Sequence, residues 1–235
     1  MEWTNRAASY GRWPRRLQRA CGILCAAFLS AASAGVSPAS AQDAGRPLKL
    51  VALGDSLTAG FGLPASAAFP TVLQKALAQK GHKVEIANAG VSGDTTTGGL
   101  ARLDWSVPDG TDGVILELGA NDMLRGVDPA VPRRALGEIV KRLTDRGIPV
   151  LLAGMYAAPS LGPGYVKPFE AIYTDLAAKY GLVFYPFFLD GVTDGVQALT
   201  LPDRLHPSAE GVKVIVERIL PSVETFLGRL KAKQG

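Results

Sequence analysis

The chain has 235 residues, 47% of them apolar, and a formal charge of +4. That length suits one domain, and that apolar content buries a sizeable core, which excludes a disordered or fibrous chain. Residues 1–41 hold five arginines and one acid, leaving 20 basic and 20 acidic residues beyond them, so the excess charge gives no case for nucleic-acid binding.

The first segment reads as an export signal. Arg12, Arg15, Arg16 and Arg19 form a basic region, Ala20 to Val36 is an apolar run rich in small residues, and Ala39-Ser40-Ala41 is an Ala-x-Ala site of the kind signal peptidase cuts after. A spanning anchor is the alternative, but the run is short for one and a cleavage site follows it. The expected organisation is therefore a signal peptide over 1–41 and one domain over 42–235, periplasmic or secreted, with no stable membrane anchor after cleavage. Arg15-Arg16 lacks the surroundings of a twin-arginine signal, and neither Cys21 nor Cys25 follows a lipobox-like sequence. Both cysteines lie in the leader, so the domain has no disulfide and no thiolate chemistry.

Beyond the leader, short apolar runs alternate with helical patterns. Strands are expected at Leu48–Leu53, Val84–Ala87, Gly113–Leu118, Val150–Ala153 and Leu182–Tyr185. Helices are expected at Phe69–Lys80, in a short stretch around Leu100 and Leu103, at Pro129–Arg146, at Tyr165–Tyr180 and at Pro207–Lys231, the last open to a kink or break at Pro221. Continuous apolar strands joined by helices imply a parallel sheet covered on both faces, a three-layer α/β/α sandwich. In such sheets the site lies beyond the carboxyl ends of the strands. That rule selects the loops Gly54–Gly60, Asn88–Thr97, Gly119–Gly126 and Ala157–Gly164, together with Asp203–Pro207 before the last helix.

Elimination narrows the chemistry. His82 and His206 are the two histidines, and His82 follows Gly81 in a helix-to-strand turn, where it reads as a solvated turn residue. His206 lies three residues after Asp203. A carboxylate there can turn back to hold the imidazole Nδ1–H and leave Nε2 free to take a proton, although a helix-capping Asp beside an unrelated His fits as well. Ser56 ends the first strand in Gly54-Asp55-Ser56-Leu57-Thr58-Ala59-Gly60, where it either presents a nucleophilic hydroxyl or N-caps a helix. Thr58 stands where the Gly-x-Ser-x-Gly elbow needs its second glycine, which disfavours the usual α/β-hydrolase arrangement. Gly93 can offer an unobstructed backbone N–H and Asn121 a side-chain N–H to a developing oxyanion, or each can serve only its own loop.

Together these blocks resemble the SGNH (GDSL) hydrolase family, in the family's order and over nearly the whole chain beyond the leader. The resemblance implies Ser56 as nucleophile, His206 as base with Asp203 as its partner, and an oxyanion hole of the Ser56 and Gly93 backbone N–H groups and the Asn121 amide. It also implies a flavodoxin-like five-stranded parallel sheet. Gly54–Gly60, Ser92-Gly93-Asp94-Thr95 and Glu117–Asp122 look closest to the family's periplasmic esterase, thioesterase and lysophospholipase branch. Met123–Gly126 aligns with that branch's mobile substrate loop. Tyr156 to Tyr165 is richer in Pro and Gly than the branch leads one to expect, in a loop that would border the acyl pocket.

The expected activity is serine esterase chemistry on small acyl esters, that is aryl esters, short-chain acyl esters, acyl thioesters and lysophospholipids, with no metal and no organic cofactor. Leu57, Phe61, Met123, Leu124, Tyr156 and Leu205 are candidates to line an apolar acyl site, or else pack as ordinary core and loop residues. Three other readings stand beside this one. The first is carbohydrate O-deacetylation within the same family. The second is a metal hydrolase built on Asp55, Asp94, Asp122, Asp203 and His206. The third is a non-catalytic binding module.

Overall fold

The computed structural model describes residues 45–193 and 197–234. The leader expected over 1–41 lies outside these residues. Five strands, β1 (Leu48–Gly54), β2 (Val84–Gly90), β3 (Gly113–Glu117), β4 (Val150–Ala153) and β5 (Val183–Tyr185), form one parallel sheet in the order β2-β1-β3-β4-β5. The register places Gly54 beside Gly90 on one side and Glu117 on the other. The three loops that leave β1, β2 and β3 therefore emerge from neighbouring strand ends, at the point where the strand order reverses.

Helices cover both faces, as continuous apolar strands require. On one face α2 (Phe69–Gln79) packs against α8 (Ala209–Gln234); on the other, α3 (Thr96–Ala101), α6 (Ala130–Asp145) and α7 (Pro163–Tyr180) pack in series. Leu73 and Leu77 of α2, Ile139 and Leu143 of α6, Phe169 and Ile172 of α7, and Ile215, Ile219 and Phe226 of α8 are all buried, at the three- and four-residue spacing that makes one apolar face.

Several elements differ from the sequence reading. The last helix starts at Ala209 and runs through Pro221 without a break. Its buried residues on either side of the proline hold it in place and offset one lost backbone hydrogen bond. Helix α7 starts two residues early, because Pro163 suits a first helical position. The loops after β1 and β3 hold short helices, α1 (Ser56–Ala59) and α5 (Ala120–Leu124), and the stretch around Leu100 divides at Arg102 into α3 and α4 (Leu103–Ser106). His82 is not a free turn residue. Its Nε2 lies 3.1 Å from Glu224 Oε1 of α8, beside the Lys80–Glu224 ion pair.

Candidate active site

The β1 loop begins with Asp55, whose Oδ1 accepts the Leu57 N–H at 3.0 Å and caps α1. Because Asp55 caps, Ser56 does not. The Ser56 hydroxyl faces the Asp203–Pro207 segment instead, 2.9 Å from His206 Nε2. His206 Nδ1 lies 2.7 Å from Asp203 Oδ2. The other Asp203 oxygen accepts the backbone N–H groups of Leu205 (2.9 Å) and His206 (3.1 Å). These two amides first, and then the imidazole, hold the Asp203 carboxyl down at about 2. Arg204 makes the tight turn possible by adopting the left-handed conformation (φ 59°), alone among the non-glycine residues described. Ser56, His206 and Asp203 thus form one hydrogen-bonded line, able to pass a proton from a hydroxyl to an imidazole whose far nitrogen is fixed.

The two other sequence candidates lie in the adjoining loops. Asn121, in the first turn of α5, donates one amide hydrogen to Asp55 Oδ2 at 3.0 Å, which leaves its second N–H available. The Gly93 carbonyl accepts from Arg125 at 2.7 Å. Among the described residues, the N–H groups of Ser56 and Gly93 have no acceptor.

The four aspartates weighed as metal ligands are each engaged elsewhere. Asp55 holds Leu57 and Asn121, and Asp203 holds the His206 turn. Asp122 accepts both the N–H and the hydroxyl of Thr96 at 2.8 Å, joining α5 to α3. Asp94 pairs with Arg102 at 2.7 Å. Among the described residues no group of three or more His, Asp or Glu side chains is arranged to hold a metal ion.

Not all the expected acyl-site residues are open. Leu57 is 5% exposed and belongs to the core, a correction that follows from α1 turning its first apolar side chain inward. Met123 is partly buried against that core, and Tyr156 stacks on Phe187 with ring centroids 4.5 Å apart. Leu124 and Leu205 are exposed, and Phe61 lies on the His206 ring.

Two supporting residues escaped the sequence reading. The buried Arg102 guanidinium ties the ends of β1 and β2 to Asp94, donating to Gly54 O and Ala89 O at 2.8 Å each; no local pattern signals this. Glu117 is fully enclosed beneath the Ser56 turn. Its Oε2 accepts the Thr58 hydroxyl at 2.7 Å, while Oε1 has no partner among the described residues. A lone acid at the end of an otherwise apolar strand was the signal that could have found it. Burial, and then the neighbouring Asp55, push Glu117 well above the usual carboxylate range. Burial likewise pushes Asp55 up to about 6, against the pull of its donors Leu57 and Asn121.

A raised carboxyl has a defined sign. The unfolded chain releases the Glu117 proton first as pH rises, so its contribution to stability is complete in acid and is lost on the way up to the folded value. Urea unfolding of Glu117→Gln is expected to show a flatter pH dependence above the usual carboxylate range than the unsubstituted protein does. An unchanged slope means that Glu117 titrates normally in the folded protein.

Comparison with known proteins identifies the scaffold. Residues 52–214 match the GDSL-like Lipase/Acylhydrolase family. The chain belongs to this family. It is 37% identical to Esterase TesA of Pseudomonas aeruginosa over 179 residues, which cover 76% of this chain and 89% of that protein. It is 34% identical to Thioesterase 1/protease 1/lysophospholipase L1 of Escherichia coli over 169 residues, 72% of this chain and 79% of that protein. Among solved structures, AlinE4, an SGNH-hydrolase family esterase, is 43% identical with a TM-score of 0.65, covering 78% of this chain and 98% of that one. The sheet order and these relatives agree on an SGNH hydrolase fold and on a carboxylic ester hydrolase.

Proposed function

We propose that the chain is an exported serine esterase that hydrolyses small acyl esters through an acyl-enzyme on Ser56. The observation that carries this reading is the unbroken line from Ser56 Oγ through His206 to Asp203. His206 Nε2 takes the hydroxyl proton as Ser56 attacks the ester carbonyl, and Asp203 keeps the imidazole in the required tautomer. The backbone N–H groups of Ser56 and Gly93, with the free N–H of Asn121, receive the negative charge on the carbonyl oxygen. His206 returns the proton to the leaving alcohol or thiol, and water repeats the attack to release the acid.

The substrate class follows from the surroundings. Exposed Leu124 and Leu205 favour apolar acyl groups of modest size. The relatives' names support simple esters, acyl thioesters and lysophospholipids as the substrates to try, since one is called an esterase and another a thioesterase and lysophospholipase. Export rests on the basic and apolar leader ending at Ala41.

One experiment addresses nucleophile and export together. The exported protein is treated with a p-nitrophenyl phosphonate, and its intact mass and tryptic peptides are recorded. The expected product starts at Gln42, carries one adduct on the Ser56 peptide and loses activity in proportion to labelling. Labelling elsewhere with activity retained overturns the serine mechanism, and a mass that includes residues 1–41 overturns cleavage. A chain-length series of p-nitrophenyl esters and acyl thioesters then ranks the acyl groups.

A further inference from the structure

Phe61 occupies an unusual position for a half-exposed phenyl ring. It follows the αL cap of α1, Gly60, and its backbone N–H donates to the Ser56 carbonyl at 3.1 Å. Its ring centroid lies 4.5 Å from that of His206, with the planes tilted by 35°. The ring remains 48% exposed, so burial alone is a weak reason for this placement.

The flanking glycines show how closely the loop is seated. A Cβ on Gly60 (φ 82°) would lie 2.7 Å from the Ala68 Cβ, and one on Gly62 (φ 73°) would lie 2.8 Å from Leu201 Cδ1. Leu201 in turn donates its N–H to the His206 carbonyl at 2.8 Å. The Phe61 loop therefore leans on the segment that carries His206, while its backbone is bonded to the residue that carries the hydroxyl.

We infer that Phe61 is a positioning residue for the reaction: its ring holds the His206 imidazole on the line to Ser56 and stabilises the positive charge the imidazole gains during proton transfer. The inference rests on the serine-esterase reading above. Both edges of the His206 ring are committed, Nδ1 to Asp203 and Nε2 to Ser56, so only its faces remain for a further interaction. Phe61 covers one face. The π-face of a phenyl ring attracts a cation, and the attraction strengthens as water is removed, which is what an acyl group docking beside it does. Neutral imidazole gains little from the same contact, so the benefit falls in the transition state. Acylation and deacylation both pass through imidazolium, so both steps slow together when the ring is lost.

The test compares Phe61→Leu, Phe61→Met and Phe61→Tyr in the mature enzyme with p-nitrophenyl acetate, alongside Ser56→Ala and His206→Ala. Leu and Met keep apolar bulk without a π-face, and Tyr keeps the ring with its hydroxyl directed to water. Phe61→Leu and Phe61→Met are expected to lower kcat by about 5- to 30-fold, with KM changed less than about 2-fold. Phe61→Tyr is expected to retain kcat within about 2-fold. Wild-type kcat in both aliphatic variants overturns the inference. So does a rise in KM alone, which makes the ring a substrate wall, and so does a Tyr variant as slow as the Leu variant. Activity persisting in Ser56→Ala or His206→Ala overturns the underlying reading as well, which separates the two failures.

Discussion

Ser56→Ala and His206→Ala are each expected to lower kcat for ester hydrolysis by about 10⁴- to 10⁶-fold, with the double variant no slower than either single one. The non-additivity follows from geometry. A hydroxyl 2.9 Å from Nε2 is a useful nucleophile only while the imidazole can take its proton, and the imidazole acts only through that hydroxyl. Removing either leaves the proposed oxyanion donors and the binding surface, which are expected to retain a modest acceleration over water. Asp203→Ala is expected to lose less, about 10⁴-fold, because the Ser56–His206 pair survives without its anchor. The measurement is single-turnover hydrolysis of p-nitrophenyl acetate with circular dichroism confirming the fold. Independent, multiplicative losses in the double variant mean that the two side chains do not act as one unit.

Strands β1, β3 and β4 were legible because they are largely buried on both faces, so Leu48–Leu53, Gly113–Leu118 and Val150–Ala153 read as apolar runs broken by Lys49 and Glu117 alone and bounded by glycine and proline. Helix α5 was not legible. Its five residues include Asn121 and Asp122, poor helix formers, and what holds it is the reach of Asp122 to Thr96 and of Asn121 to Asp55. The capping alternative for Ser56 could be decided only in three dimensions, where Asp55 takes the cap. Leu57 shows the converse: an apolar residue in a polar loop reads the same whether it faces an acyl group or the core, and here it faces the core. The left-handed Arg204 carries no sequence mark, since its conformation follows from the demand that Asp203 reach back to His206. Blocks of sequence thus picked out residues that the structure brings together, while the contacts that orient them join residues far apart, such as Thr58 with Glu117 and Gly54 with Arg102.

Asn121→Ala is expected to lower kcat by about 10²- to 10³-fold with KM nearly unchanged, a loss of about 2.7–4 kcal/mol from the barrier. The amide carries two hydrogens, and Asp55 Oδ2 takes one of them at 3.0 Å. That bond sets the plane of the amide, so on the proposed mechanism the second hydrogen serves the oxyanion without reorientation during the reaction. Asp55 can do this because it is enclosed, with its Oδ1 fixed by Leu57 and its own N–H 3.5 Å from Glu117 Oε2. Asp55→Asn weakens the anchor without removing the proposed oxyanion donor, so its loss in kcat is expected to be smaller, about 10-fold, and largely absent once Asn121 is already Ala. The double-variant cycle on kcat measures this dependence directly. Full additivity of the two losses means that Asp55 acts on the Ser56 turn alone. A rise in KM for Asn121→Ala with kcat unchanged means that the amide binds the ground-state ester and contributes nothing specific to the transition state.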